Sequence, residues 1–210
     1  MECAYCGIVD ANLEREHVVS ACLYPPSKAA SKVQRITVPA CPSCNQSWSD
    51  DEAHFRTVVL MASDANDASK ELWTKTARSF GQVDGQRRLR DVRRLMEPNQ
   101  VAGVERWLVY PGRDERVLRV VRKVVRGLSY FHGLGIISSD ELVWVDVLQF
   151  RIPDELLGSV EFFHREPDVF QYWFEAYGEG EFRSVWYLKF FEKLPFIASV
   201  AAHGETQKRP

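Results

Sequence analysis

The chain has 210 residues, 45% of them apolar, and a formal net charge of −2. That length suits one domain or two small ones with a real core, and the near-neutral charge excludes a protein basic over its whole surface while leaving room for an enzyme with a local basic patch. No apolar run reaches the about 18 residues of a membrane span, and Met-Glu-Cys at the start lacks the basic and apolar regions of a secretory signal, so a cytoplasmic protein is expected.

In chain order, Cys3-Ala4-Tyr5-Cys6 comes first, and Gly7 behind it permits the left-handed backbone of a tight knuckle. The stretch LEREHVV alternates in polarity and predicts a strand carrying Glu16 and His17. Pro25-Pro26 opens a loop over 24–33, in which Lys28 and Lys32 are either solvated surface or phosphate contacts. The β-branched run QRITVPA, 34–40, predicts a second strand ending near Pro39. It leads into Cys41-Pro42-Ser43-Cys44-Asn45.

From Asn45 the pattern turns helical, with Trp48, Phe55, Val59 and Ala62 on one face. Asn45 suits an N-cap, and Asp50, Asp51 and Glu52 suit the positive helix end. Glu52 falls on the same helix face as Asn45, whereas His54 falls on the opposite face and is excluded as a ligand. Residues 63–83 predict a polar helix with Lys70, Glu71, Lys75 and Arg78 in solvent. Arg87, Arg88, Arg90, Arg93 and Arg94 then form a basic cluster.

Residues 115–130 predict an amphipathic helix. Val117, Leu118, Val120, Val121, Val124, Val125 and Leu128 face inward, Arg116, Arg119, Arg122, Lys123 and Arg126 face outward, and Gly127 marks its end. Residues 81–130 carry 12 basic and 6 acidic side chains, and residues 131–192 carry 4 basic and 12 acidic, so a basic middle and an acidic end cancel. A basic face of that kind either tracks a phosphate backbone or pairs with acidic neighbours. From 139 the period becomes 2, and ELVWVDVLQF, SVEFFHR, DVFQYWFEAY, FRSVWYLKFF and PFIASV predict an antiparallel meander. Pro153-Asp154, Glu166-Pro167 and Gly178-Glu179-Gly180 separate the strands, and their aromatics are expected to pack a core. His132, His164 and His203 stand alone, and the tail from Gly204 to Pro210 is expected to fray.

Two Cys-x-x-Cys pairs with 34 residues between them predict a tetrahedral zinc site of Cys3, Cys6, Cys41 and Cys44. Four thiolates leave no open coordination position, so the zinc is structural and any chemistry lies beside it. Glu16, His17 and Asn45 are the polar residues that a closed cluster draws together. Cys22 is left over as a small buried hydrophobe, and the odd cysteine count suits a reducing compartment better than disulfides.

With a Cys-x-x-Cys, Glu16-His17 and a Cys-x-x-Cys followed by Asn45 in that order, residues 1 to 62 resemble the zinc-bearing branch of the HNH, or ββα-metal, endonuclease family. The resemblance implies an N-terminal zinc-stabilised ββα-metal module, 1–65. With the helices and the C-terminal antiparallel sheet that the patterns predict over 66–210, an α+β protein is expected. The resemblance also implies a metal-dependent endonuclease acting on nucleic acid, DNA in the first instance. His17 is then the general base, and Glu16 and Asn45 hold a Mg²⁺ or Mn²⁺ ion distinct from the zinc. Nucleic-acid contacts are expected from Arg87, Arg88, Arg90, Arg93, Arg94, Arg119, Arg122 and Lys123. Glu16 stands where the family usually has Asp. The family's middle Asn is missing, so orienting His17 falls to Gln34, Thr37 or a backbone carbonyl. The alternative is a non-catalytic zinc-knuckle module that binds nucleic acid or protein, although such a module has no reason to gather a base and two oxygen ligands.

Overall fold

In a computed structural model of the chain, residues 1–10, 12–28, 31–62, 66–101, 103–149, 152, 155, 161–178 and 182–201 are described. Strand β1 (Glu14–His17) pairs antiparallel with β2 (Thr37–Ala40), His17 opposite Thr37 and Glu14 opposite Ala40. Helix α1 (Pro42–Gln46) follows at once, and α2 (Ser49–Ala62) after it. The chain thus runs strand, strand, helix through the segment that holds both cysteine pairs. Pro42 opens α1, where its missing N–H costs nothing. Asp50, Asp51 and Glu52 lie in the first turn of α2, against the positive helix end.

Helices α3 (Asp67–Ser79) and α4 (Val83–Arg94) come next, then a hairpin of β3 (Met96–Val101) and β4 (Val104–Val109). Asn66 caps α3 by accepting from the Ser69 amide. Helix α5 (Glu115–Phe131) starts at Asp114, whose carboxylate accepts from the Arg116 amide. The C-terminal sheet contains β5 (Val143–Val147), β6 (Phe163–His164), β7 (Phe170–Ala176), β8 (Phe182–Phe190) and β9 (Leu194–Ala201). Its order is β5-β9-β8-β7-β6, antiparallel throughout. The α+β class holds.

Alternation puts Trp186, Leu188 and Phe190 of β8 and Phe196, Ala198 and Val200 of β9 into the core. The valines of α5 meet them there, with Phe55, Val58 and Val59 of α2 and Val18, Val38 and Ala40 from around the β1–β2 pair, in one continuous cluster. All seven apolar positions expected to face inward on α5 are buried.

Several expectations need correction. Strands β6 to β9 form the meander, but β5 joins the sheet beside β9, because the two carry matching apolar faces and β9 has a free edge. The α4 helix and the β3–β4 hairpin have no counterpart in the sequence reading. Pro98 lies inside β3, which is tolerated only because this sheet has two edge strands. Helix α5 continues past Gly127 to Phe131. Two residues expected in solvent, Lys123 and Arg126, are 0% and 5% exposed. The cause is that α5 packs against α2, β2, β5 and β9 at once. A helix covered on several sides buries positions that a single apolar stripe would leave outside. The turn residues Pro153-Asp154 and Glu179-Gly180, His203 and the tail from Gly204 lie outside the described residues.

Candidate metal centre and the residues beside it

The first knuckle is closed by its own backbone. The Gly7 amide donates to the Cys3 carbonyl and the Cys3 amide to the Ile8 carbonyl, each at 2.9 Å. Gly7 takes the positive φ of 73° that this turn needs. The Ala4 amide donates to the Pro39 carbonyl at 2.8 Å, which ties the knuckle to the end of β2. The second pair straddles the start of α1, with Cys41 at the N-cap position and Cys44 one turn inside. The sulfurs of Cys3, Cys6, Cys41 and Cys44 all lie within 4.8 Å of one another. The Cys6 and Cys41 sulfurs are 3.8 Å apart, and a tetrahedron with Zn–S of about 2.3 Å has an edge of about 3.8 Å. Burial pushes the Cys3 thiol up, but backbone amides of Cys41, Tyr5 and Cys6 outweigh it and bring it down to about 7. A sulfur cradled by amides suits a thiolate ligand. Four thiols so arranged can hold a zinc ion, with no position left for substrate.

Around this cluster the other site residues separate into distinct contacts. Asn45 sits inside α1 and does not cap it. Its side-chain amide donates to Glu14 and not to Glu16. The Glu16 carboxylate receives the Lys123 ammonium from α5. The same ammonium donates to Glu52 at 2.5 Å and to the His17 carbonyl at 3.0 Å. Glu52 therefore does join Glu16, through a lysine placed in solvent by the sequence reading. Burial holds the Glu16 carboxyl above the ordinary carboxylate range despite the Lys123 charge, and Glu52 and Glu14 push the same way.

His17 is half-buried at the end of β1. Burial lowers its pKa, and the positive charges of Arg35, Lys123 and Arg15 add to that. Its ring is therefore neutral at pH 7. Arg15 reaches the hydroxyl of Thr37, the residue opposite His17, at 3.3 Å. Since side chains alternate along a strand, Arg15 and His17 share one face and Glu14 and Glu16 the other. Thr37 is thus engaged by Arg15 and Gln34 is exposed. Among the described residues no hydrogen bond reaches the His17 ring.

A catalytic Mg²⁺ or Mn²⁺ ion between Glu16 and Asn45 does not fit this arrangement. Lys123 already balances Glu16, and Asn45 is turned to Glu14.

The remaining cations fall into two groups. Arg87, Arg90, Arg93 and Arg94 of α4 are exposed. Arg87 and Arg88 also line a cleft of about 200 Å³ with Arg116, Asp50, Asp84 and Asp91, where the charges balance. On α5, Arg119 pairs with Asp51 at 2.6 Å and lies 4.7 Å over the Trp48 ring, and Arg122 bonds Glu115 and the Val143 carbonyl. The Arg122 side chain is 12% exposed and that of Arg119 39%, and both are already paired, so α4, with Arg94 at 74%, is the more open basic surface. His54, excluded as a ligand, is buried and meets Asp114 at 2.5 Å. Cys22 is half-buried, its thiol facing the Glu52 carbonyl at 3.7 Å.

Sequence reasoning passed over Glu14 and Arg15, which were within reach of it, because residues two apart on a strand share a face. It took Lys123 for a nucleic-acid contact, whereas Lys123 is fully buried with internal partners, and no local signal marks that. No protein-family model, no curated protein and no solved structure matches this chain.

Proposed function

We propose that the protein is an endonuclease of HNH type that hydrolyses phosphodiester bonds in nucleic acid, DNA in the first instance. In this scheme one Zn²⁺ sits in the four-cysteine site as a structural ion. The observation that carries the proposal is a half-buried histidine, kept neutral near pH 7 by its surroundings, adjacent to a carboxylate on a strand that leads into a cysteine-clamped strand-and-helix unit. Neutral His17 accepts a proton from water. The oxygen attacks phosphorus, the bond to the 3′ oxygen breaks, and that oxygen leaves with a proton taken from solvent or a nearby acid. Arg15 on the His17 face and the exposed arginines of α4 supply positive charge for the phosphates. Dependence on Mg²⁺ or Mn²⁺, with the ion bound elsewhere than between Glu16 and Asn45, is measured by leaving both ions out of a parallel incubation.

A second reading, a non-catalytic nucleic-acid or protein-binding module, is favoured by one observation: Glu16 and Asn45 are occupied by Lys123 and Glu14. Supercoiled plasmid and single-stranded RNA, each incubated with the zinc-loaded protein and Mg²⁺ or Mn²⁺, separate the two. Endonuclease function requires nicking that disappears in His17→Ala while zinc content and nucleic-acid binding remain. Binding without cleavage under all four conditions, or cleavage that persists in His17→Ala, overturns it.

A further inference from the structure

Lys123 is an anomaly by the ordinary rules of a core. It is 0% exposed, and its neighbours on α5 at 120, 121, 124 and 125 are all valine. Burying an ammonium costs several kcal/mol unless it is fully paired. Here the pairing is complete: an ammonium has three N–H groups, and Glu16, Glu52 and the His17 carbonyl accept them. The three acceptors come from β1 and α2, and the lysine from α5, 106 or 107 positions along the chain from β1. An apolar residue at 123 with uncharged partners would hold the same elements together at no such cost. What the lysine adds is direction, since one ammonium bonded to Glu16, Glu52 and the His17 carbonyl sets the Glu16 carboxylate and the backbone of His17 at once. Three residues on, Arg126 treats the knuckle likewise, donating to the Tyr5 carbonyl between Cys3 and Cys6. Its Nε donates to the Ile137 carbonyl at 2.7 Å.

We propose that Lys123 is a positioning residue for the His17 site, holding the end of β1 in working geometry from α5, outside the cysteine-bearing segment. The role in catalysis rests on the assignment of His17 as general base, but the grip on β1 does not. The side chain touches no substrate. It acts through Glu16 and the His17 carbonyl, so the first 65 residues are incomplete as a catalytic unit without α5.

The test uses the full zinc-loaded chain with Lys123→Met and with Lys123→Met/Glu52→Gln. The single variant leaves two carboxylates facing each other, and it loses thermal stability. The double variant removes one of those charges and regains much of the midpoint. In both, kcat for plasmid cleavage falls roughly 10–100-fold, as for loss of a residue supporting a site ligand. KM stays within about twofold and zinc content is unchanged. Hydrogen exchange at the amides of residues 15–18 quickens in both, while β8 keeps its protection. If kcat returns with the thermal midpoint in the double variant, Lys123 is only a structural ion-pair partner and the proposal is overturned. Unchanged exchange at residues 15–18 in the double variant overturns it equally. Should the single variant fail to fold, the double variant decides by itself. A wild-type chain that cleaves nothing ends the endonuclease assignment, and the exchange experiment then shows on its own whether Lys123 holds β1.

Discussion

His17 and His132 are two histidines whose protonation differs between the folded and the unfolded chain. Burial lowers the pKa of both. The unfolded chain has ordinary histidines with pKa of about 6.5, so below that pH it binds more protons than the folded chain. Stability from these groups is present above pH of about 6.5 and is lost as the pH falls from there through the lowered folded values. His132 is the cleaner probe, because it lies away from the cysteines among Phe131, Phe163, Tyr172, Phe174 and Trp186. It also faces the Tyr172 hydroxyl at 2.8 Å. Chemical denaturation at pH 7.5 and 5.5 should show His132→Phe gaining stability relative to wild type at the lower pH. A constant difference between the two proteins would contradict burial as the cause. His54 shows what the residue scale hides. Helical counting removes it from the metal site, but nothing in the sequence shows Asp114, 60 positions away, as its partner.

The element that decides the site is α5, and its backbone comes close to the first knuckle at Gly127. A Cβ there would meet a Val18 methyl at 2.9 Å and the Tyr5 hydroxyl at 3.0 Å. Glycine lets the helix lie directly on the first knuckle and on the chain just past β1. Helix propensity alone favours Gly127→Ala by about 1 kcal/mol. Overpacking a close contact costs about 1–3 kcal/mol, and here both neighbours are fully buried, so they have little room to yield. The variant should therefore be less stable than wild type by up to about 2 kcal/mol in a urea titration, the balance of those terms. A stabilised variant would mean that α5 and the knuckle sit further apart. In the sequence alone, Gly127 marks a helix end. Glycine at a C-terminus and glycine at a close helix contact look alike until the neighbour is known.

Across the whole molecule, the cysteine cluster and the C-terminal sheet belong to one core. Cys3, Tyr5 and Cys41 join the same buried cluster as Trp186, Phe190 and Phe196. Lys123 and Arg126 add polar links between α5 and the N-terminal segment. Zinc binding should therefore support more than residues 1–65, since binding and folding are coupled where thiolates close a module. Purified protein should contain about one zinc per chain. Chelation should lower the thermal midpoint of the entire chain in a single transition, followed by far-UV circular dichroism. An isolated 1–65 fragment should stay unfolded even with zinc. Two separate transitions, or a folded fragment, would show that the N-terminal segment stands alone. No helix among the described residues is long and apolar enough to cross a membrane.

What the sequence determined by itself is local. Cysteine spacing, a glycine behind the first pair and a proline after the third cysteine suffice to bring the two sulfurs of each pair together, because each pair shares one tight turn; the bond from Ala4 to Pro39 then joins the pairs. Period-2 and period-3.6 patterns located β1, β2, α5 and the C-terminal strands, since each needs only neighbours in sequence. Tertiary structure alone decided the rest. Whether Lys123 meets water or two glutamates depends on what covers α5, and those elements lie up to about 107 positions away. Whether Asn45 faces Glu14 or Glu16 depends on how α1 lies across β1. Charge at a single position reads as solvent-facing in any local pattern. Only packing reveals a charge buried with its partners.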